Sequence, residues 1–366
     1  MKETVAVAMS GGVDSSLVAA LLKERGYRVI GLTMVLTDES RGVEAAPGYE
    51  HVHGAVDDAR LVADFLGIEH HVVDLKREFK AEVIDYFLGE YMKGRTPNPC
   101  VVCNRKIKMG RLFEAARNLG ADYMATGHYA RVEYDEVRGR HVIKKAADTR
   151  KDQSYALYRV NGDVLPHLLL PLGVMESKAR TRAMAEERGL PVAHRPESQE
   201  VCFIPNDDYK SFLLKFHPEA RRGGDIVYKD GTVLGHHDGV SFYTIGQRKG
   251  MGIAHPTPLY VTELDTARNR VVVGEADDVF ATGLVASDMC WQSAEPPKLG
   301  ERQSYSARIR YGKREAVATV ERVDEASDKC RVTFDRPMRA VTPGQSVVLY
   351  DGDVLIGGGF IDEVIR

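Results

Sequence analysis

The chain has 366 residues, a hydrophobic fraction of 43%, a charged fraction of 28% and a formal net charge of −3. That length predicts two or three domains with sizeable cores, and that composition is ordinary for a soluble protein. No apolar run approaches the roughly 20 residues of a membrane span, so no membrane partner is expected, and the slightly acidic balance confines any nucleic-acid site to a local patch.

Thr4–Met9 is a short, mostly β-favouring apolar run and predicts a buried parallel strand. The chain enters it at once, so no signal peptide is expected; with five cysteines, an odd count, this predicts a reducing, cytoplasmic setting. Ser10-Gly11-Gly12-Val13-Asp14-Ser15 comes next, and Ser15–Arg25 is then rich in apolar helix formers and closed by Gly26. The hexapeptide therefore sits at a strand-to-helix turn. Two glycines let the backbone approach a ligand, the first helix amides point back at it, and the hydroxyls of Ser10, Ser15 and Ser16 can add donors. This is an anion site by construction, its plain alternative being a serine-capped turn with no ligand. The loop lacks the lysine of a Walker motif, and no G-x-G-x-x-G is present. An aspartate among phosphates repels them unless a cation intervenes, so Asp14 reads as a magnesium-side residue.

Tyr27–Met34 predicts a second strand, 37–54 a polar insertion, Val56–Leu66 a helix and Glu69–Leu75 a third strand. Arg77–Met92 is amphipathic and longer. After a loop, Ile107–Leu119 predicts a helix and Tyr123–Thr126 a strand ending in Gly127-His128. Strands separated by helices imply βαβ units and a parallel sheet, an α/β fold whose ligands lie beyond the carboxyl ends of its strands. The loop, Met34 and Gly127 all fall at such ends. Together they predict one nucleotide pocket, with phosphates on the loop and adenine near Met34 and Gly127.

From His141 to Leu172 the signal is mixed, with basic turns at Lys144-Lys145 and Arg150–Ser154. Lys178–Arg188 predicts a helix ended by Gly189, Arg195–Pro205 a loop carrying Cys202, and Asp207–Phe216 a short helix. Beyond Gly223 short β runs are punctuated by Gly, Asp and Asn. Domains are expected at 1–205, 206–277 and 278–366. The last, with runs Ser304–Tyr311, Arg314–Val323, Lys329–Phe334, Ser346–Tyr350 and Val354–Ile361, is a small antiparallel barrel or sandwich.

Asn98-Pro99-Cys100-Val101-Val102-Cys103-Asn104-Arg105 falls in the loop before a predicted helix, where a thiol beside Arg105 and Lys106 is pushed toward the nucleophilic thiolate. Cys100 and Cys103 read as half of a zinc site, as buried hydrophobes, or as a reactive set with Cys202. Cys290 and Cys330 read as packing residues. Lys144-Lys145, Arg150-Lys151, Arg248-Lys249 and Arg308/Arg310/Lys313/Arg314 are local basic patches. Arg308, Arg310 and Tyr311 on one β run combine cations with a stacking ring, a pattern suited to single-stranded RNA.

The loop Ser10–Ser15 resembles the pyrophosphate-binding loop of the ATP pyrophosphatases. Taken in order with Asn98-Pro99-x-x-x-Cys103-Asn104, Thr126–Ala130, Lys151–Ser154, Ser198–Phe203 and His237-Asp238-Gly239 followed by Gly246–Gly250, it resembles the bacterial tRNA-specific 2-thiouridylase family over essentially the whole chain. The resemblance implies an N-terminal adenine-nucleotide hydrolase-like domain, a small central β-rich domain and a C-terminal tRNA-binding β-barrel. It implies 2-thiolation of the wobble uridine of tRNAs for Lys, Glu and Gln, using ATP with Mg2+ and a sulfur donor such as a cysteine desulfurase or persulfide relay protein. ATP would contact Ala8, Met9, Ser10, Gly11, Gly12, Val13, Asp14, Ser15, Met34 and Gly127. The target base would lie at Asn98, Pro99 and Cys100, and tRNA at His128, Lys151, Asp152, Gln153, Arg310, Tyr311 and Gln345. Cys103 would be the nucleophile and Cys202 the persulfide carrier, the two closing a transient disulfide. Where this chain has Cys100, the family's best-described members carry Asp and others carry Cys. A third thiol could complete a site with Cys103 and Cys202 for a 4Fe-4S cluster with one iron open. The rival functions are an amide-forming synthetase of the same loop class, which needs neither Cys103 nor Cys202, and a non-catalytic RNA-binding protein, which would release no AMP.

Overall fold

The structure is a computed structural model describing residues 2–37, 54–195, 201–204, 208–312 and 314–366. Most of the polar insertion at 37–54, the Ser198-Gln199-Glu200 part of the Cys202 motif, the 205/206 boundary and Lys313 lie outside the described residues. The chain divides into two compact units: Met1–Ile84, Cys100–Gln199 and Asp353–Leu355 in one, Asp85–Pro99, Glu200–Gly352 and Ile356–Arg366 in the other.

In the first unit, β1 (Thr4–Ala8) is flanked by β2 (Arg28–Val35) and β4 (Tyr123–Ala125), and these by β3 (Glu69–Asp74) and β7 (Leu168–Leu169), in the order β3-β2-β1-β4-β7. Every pairing is parallel. Val5, Ala6 and Val7 are fully buried, which is why β1 is apolar without alternation. Helix α1 (Val13–Glu24) buries Leu17, Val18, Leu21 and Leu22 in the core. Each such side chain contributes about 1.5–3 kcal/mol of transfer free energy. Helix α2 (Ala55–Leu66) shows the expected stripe: Val56, Ala59, Val62 and Ala63 are buried, while Leu61 and Phe65 are exposed.

The predicted helix Arg77–Met92 forms as α3 (Lys76–Phe79), a π-helical turn (Lys80–Ile84) and α4 (Asp85–Met92). The helix expected from Ile107 instead starts at Pro99, as α5 (Pro99–Cys103), a π-helical stretch (Asn104–Leu112) and α6 (Phe113–Asn118). Proline suits a first helical position because that amide has no intrahelical partner anyway. The cysteine pair is therefore helical, not in a loop. The mixed region contains an unforeseen antiparallel hairpin, β5 (Ala130–Asp135) with β6 (Arg140–Lys145). Helix α7 (Lys178–Glu187) starts where Ser177 Oγ accepts from the amide of Arg180 at 3.2 Å.

The second unit holds α8 (Tyr209–Phe216) and a four-stranded sheet in the order β10-β11-β8-β9: β8 Gly224–Tyr228, β9 Val233–His237, β10 Tyr260–Asp265, β11 Arg270–Gly274. It also holds six strands in the order β12-β15-β14-β13-β16-β17: β12 Phe280–Trp291, β13 Arg302–Arg308, β14 Ala316–Arg322, β15 Cys330–Arg339, β16 Ser346–Asp351, β17 Val354–Ile365. β12 also pairs with β17, closing the ring, so the expected "barrel or sandwich" is a barrel. The fold is α/β, with a parallel-sheet N-terminal domain, a small central β domain and a C-terminal β-barrel. Among the described residues no helix is long and apolar enough to cross a membrane.

Candidate functional site

The loop after β1 is pinned before it turns. Met9 donates its amide to Leu32 at 2.7 Å, and Thr33 Oγ1 donates to the Met9 carbonyl at 2.9 Å while His70 Nε2 lies 2.8 Å from that hydroxyl. Gly11 then adopts φ +72°, and a Cβ there would stand 2.8 Å from the Ala55 carbonyl and from Asp58 Cβ. Only glycine fits. The serines serve the loop itself: Ser15 Oγ accepts from the Ser10 amide at 3.1 Å, and buried Ser16 donates to the Gly12 carbonyl at 2.8 Å. Of the three serines only Ser10 is exposed.

Val7 is level with Gly31 on β2 and Ala125 on β4, so Met34 and Gly127 leave the same carboxyl edge as the loop. Gly127 lies hard against α1: a Cβ there would be 3.0 Å from Asp14 Cβ and 3.1 Å from the Ser15 amide nitrogen. This edge, where the chain's crossovers reverse direction about β1, is where doubly wound sheets bind ligands.

Asp14 is not alone in the loop. Lys178, from the start of α7, brings Nζ to 2.6 Å from both carboxylate oxygens, and the Tyr129 hydroxyl donates to Oδ1 at 2.9 Å while standing 3.1 Å from Thr181 Oγ1. Arg195 pairs with Asp58 and donates to the Gly11 carbonyl at 3.3 Å. Neither cation had a signal in the sequence, because both come from beyond residue 170 and one sits at an ordinary helix start. Magnesium at Asp14 would meet a carboxylate already neutralised.

After Gly127, His128 is half-buried with Nδ1 2.6 Å from Thr126 Oγ1, and desolvation, aided by nearby Lys108, holds its pKa well below the usual histidine value. The backbone of Tyr129 is held twice by Gln153, whose side-chain Oε1 accepts from the Tyr129 amide at 3.0 Å and whose backbone amide donates to the Tyr129 carbonyl at 2.8 Å. Asp152 is buried and accepts from Ala146 N, Ser154 N and Ser154 Oγ, so its bonding shapes the turn that presents half-buried Lys151.

On α5, Cys100 is exposed and Cys103 buried. Solvent reaches Cys100, yet the protein crowded around it raises its thiol pKa by desolvation, with Lys108 pulling the other way. Cys100, not Cys103, occupies the first turn of α5. Asn104 beside Cys103 is buried and donates to the Ala156 carbonyl at 3.0 Å. In the second unit, Cys202 is exposed, followed by Phe203 packed edge-on against Phe87 at 5.4 Å. None of the five cysteines forms a disulfide. Among the described residues no three His, Cys, Asp or Glu side chains converge as metal ligands. Cys330 is buried, its thiol raised to about 11 by desolvation, and Cys290 is half-buried.

The barrel corrects the basic-patch reading. β13 ends at Arg308, which is buried, pairs with Glu315 at 2.7 Å and lies 4.8 Å over the Tyr350 ring. It holds the barrel together. Arg310 and Tyr311 lie in the turn beyond, both exposed, and Arg310 lines a cavity of about 450 Å³ together with Arg314, Arg336 and Arg339. Gln345 Nε2 donates to the Thr96 carbonyl at 2.8 Å and Thr96 donates its amide to Pro343 at 2.9 Å. Gln345 is thus fixed on the segment that leads into half-buried Asn98 and buried Pro99.

Residues 3–206 match the family described as tRNA methyl transferase HUP domain, 210–275 the tRNA methyl transferase PRC-barrel domain and 281–361 the aminomethyltransferase beta-barrel domain. A tRNA-specific 2-thiouridylase of Carboxydothermus hydrogenoformans is 48% identical over 99% of this chain and 98% of that protein. One from Caldanaerobacter subterraneus subsp. tengcongensis is also 48% identical, over 99% and 98%, and one from Clostridioides difficile 44%, over 99% of each. A phosphate-type loop at the sheet's switch point and such identity from end to end lead to one assignment: the chain belongs to the tRNA-specific 2-thiouridylase family.

Proposed function

We propose that this protein uses ATP to convert the C2 carbonyl of the wobble uridine in tRNAs for Lys, Glu and Gln to a thiocarbonyl, releasing AMP and pyrophosphate. The observation that carries the reading is the Ser10–Ser15 loop at the start of α1, with Gly127 against it, in a chain of that family. A carbonyl oxygen is a poor leaving group. Its attack on the α-phosphorus expels pyrophosphate and leaves an adenylate, from which sulfur can displace AMP. ATP would occupy Ala8–Ser15, Met34 and Gly127, with magnesium carried on its phosphates. The base would sit by Asn98, Pro99 and Cys100.

Cys202 would receive a persulfide from a donor protein. Attack by Cys103 on the Cys202 sulfur forms a Cys103–Cys202 disulfide and frees hydrosulfide to attack C2; a cytoplasmic reductant then reopens the disulfide. The exposure of Cys202 supports the carrier role, and the buried position of Cys103 suits a thiol kept from stray oxidants. His128, Lys151, the turn held by Asp152 and Gln153, Arg310, Tyr311 and Gln345 would contact tRNA, across domains at 1–205, 206–277 and 278–366.

The test is pyrophosphate release with and without tRNA, together with mass spectrometry of wobble nucleosides from a strain lacking the protein. Loss of 2-thiouridine and tRNA-dependent pyrophosphate are expected; release of ADP and orthophosphate would refute the chemistry.

A further inference from the structure

We propose that Lys178 is the cation of the phosphate loop and that Asp14 is its positioning residue rather than a magnesium ligand. The inference rests on the ATP-dependent reading above and names a residue for its adenylation step.

A loop that carries an aspartate and no lysine should repel a triphosphate. The fold removes that repulsion by bringing an ammonium from α7. Lys178 Nζ lies 2.6 Å from each oxygen of Asp14, and its side chain is only 13% exposed. Asp14 is the second residue of α1, so the ammonium stands at the end of the helix where the unbonded amides are. Two further contacts hold it there: the Tyr129 hydroxyl restrains the same carboxylate at 2.9 Å, and the Tyr129 ring centroid is 5.6 Å from Nζ. Gly127 closes on Asp14 and Ser15 from β4, so the carboxylate that holds this cation lies beside one of the strand ends expected to take the nucleotide.

The alternative is that the ion pair merely bolts α7 to α1. Buried Thr181 and Ala185 already supply the apolar side of α7, and a partly buried ion pair is a weak source of stability. In the adenylation step the uridine oxygen bonds to the α-phosphorus and the bond from that phosphorus to the β-bridging oxygen breaks. The electron pair leaves with pyrophosphate, and the N3 proton goes to solvent. Negative charge grows on the leaving pyrophosphate, where a fixed ammonium gains most.

The experiment uses the full chain with tRNA and MgATP. Lys178→Met keeps the apolar stem over Tyr129 and removes the charge. It should lower the rate of pyrophosphate release by about 10²-fold and raise KM for ATP in protein still folded at the assay temperature, the thermal midpoint falling as Asp14 loses its partner. Lys178→Arg should recover part of the rate. Asp14→Asn should resemble Lys178→Met while leaving the half-saturating Mg2+ concentration unchanged. Wild-type rate and KM in Lys178→Met would overturn the proposal. So would a raised Mg2+ requirement in Asp14→Asn alone, which would make Asp14 the metal ligand. Should Lys178→Met fail to fold, Lys178→Gln with unaltered KM for ATP would overturn it equally. A wild-type chain that forms no pyrophosphate with tRNA would overturn the adenylation reading itself.

Discussion

Gly127→Ala probes the geometry of the pocket with one methyl group. The added Cβ would stand 3.0 Å from Asp14 Cβ, 3.1 Å from the Ser15 amide nitrogen and 3.3 Å from the Asp14 carbonyl carbon. All three neighbours belong to the first turn of α1, two of them to its backbone, so a rotamer change cannot relieve the contact. Either α1 or the loop after β4 must move by a few tenths of an ångström. Overpacking of this kind costs about 1–3 kcal/mol. For a unit of this size that lowers the melting temperature by roughly 2–10 °C. On the proposed reading these amides bind phosphate, so the same strain should reduce kcat/KM for ATP about tenfold, the equivalent of about 1.4 kcal/mol. Scanning fluorimetry and tRNA-dependent pyrophosphate release measure the two effects. Gly89→Ala is the control, since nothing lies within 4 Å of a Cβ there. Within α4 it should be neutral or stabilising by about 0.5–1 kcal/mol. A Gly127→Ala protein with wild-type melting and kcat/KM would refute the close approach of the β4 loop to α1.

Acid should destabilise the protein through its histidines. The pKa values of His128, His70 and His237 are each depressed, chiefly by desolvation. Below an unfolded-state pKa of about 6.5 the unfolded chain therefore takes up protons that the native one refuses, and stability falls as pH drops toward the native values. His128→Gln should flatten the fall in melting temperature between pH 7 and pH 5; an unchanged slope removes His128 from the effect. Arg308→Ala should destabilise the barrel by about 3–5 kcal/mol because it strands Glu315, whereas Arg310→Ala should leave melting alone and lessen the salt slope of tRNA binding by about 0.7–0.9. Equal effects of the two on melting would contradict their opposite burial. Cys103→Ser and Cys202→Ser should each abolish 2-thiouridine formation while tRNA-dependent AMP release persists; loss of AMP release would tie the thiols to adenylation.

Local patterning reached a long way in this chain. The continuous apolar run at Thr4–Met9, the Gly-Gly turn and the apolar helix after it specify a β-loop-α unit from neighbours within twenty-odd residues of one another. Strand–helix alternation then implies parallel pairing, and that alone places Gly127 at the loop's edge of the sheet. Hydrophobic period also separated the helical half from the β half.

What only tertiary structure decided involves partners far apart in sequence or a choice between two uses of one residue type. Lys178 and Arg195 look like any exposed cations until α7 and the chain after it fold beside α1; no short-range pattern encodes an ion pair across 164 residues. Arg308 and Arg310, two apart, read alike as RNA contacts, but the strand ends between them, so one faces Glu315 inside the barrel and the other solvent. Closure of β12 on β17 likewise depends on pairing between distant strands. Proline at a helix start reads equally as a loop residue, and packing of the following helix decides that Cys100 and Cys103 are helical. Local sequence sets what each segment prefers, and long-range burial and charge pairing decide which of its side chains meet.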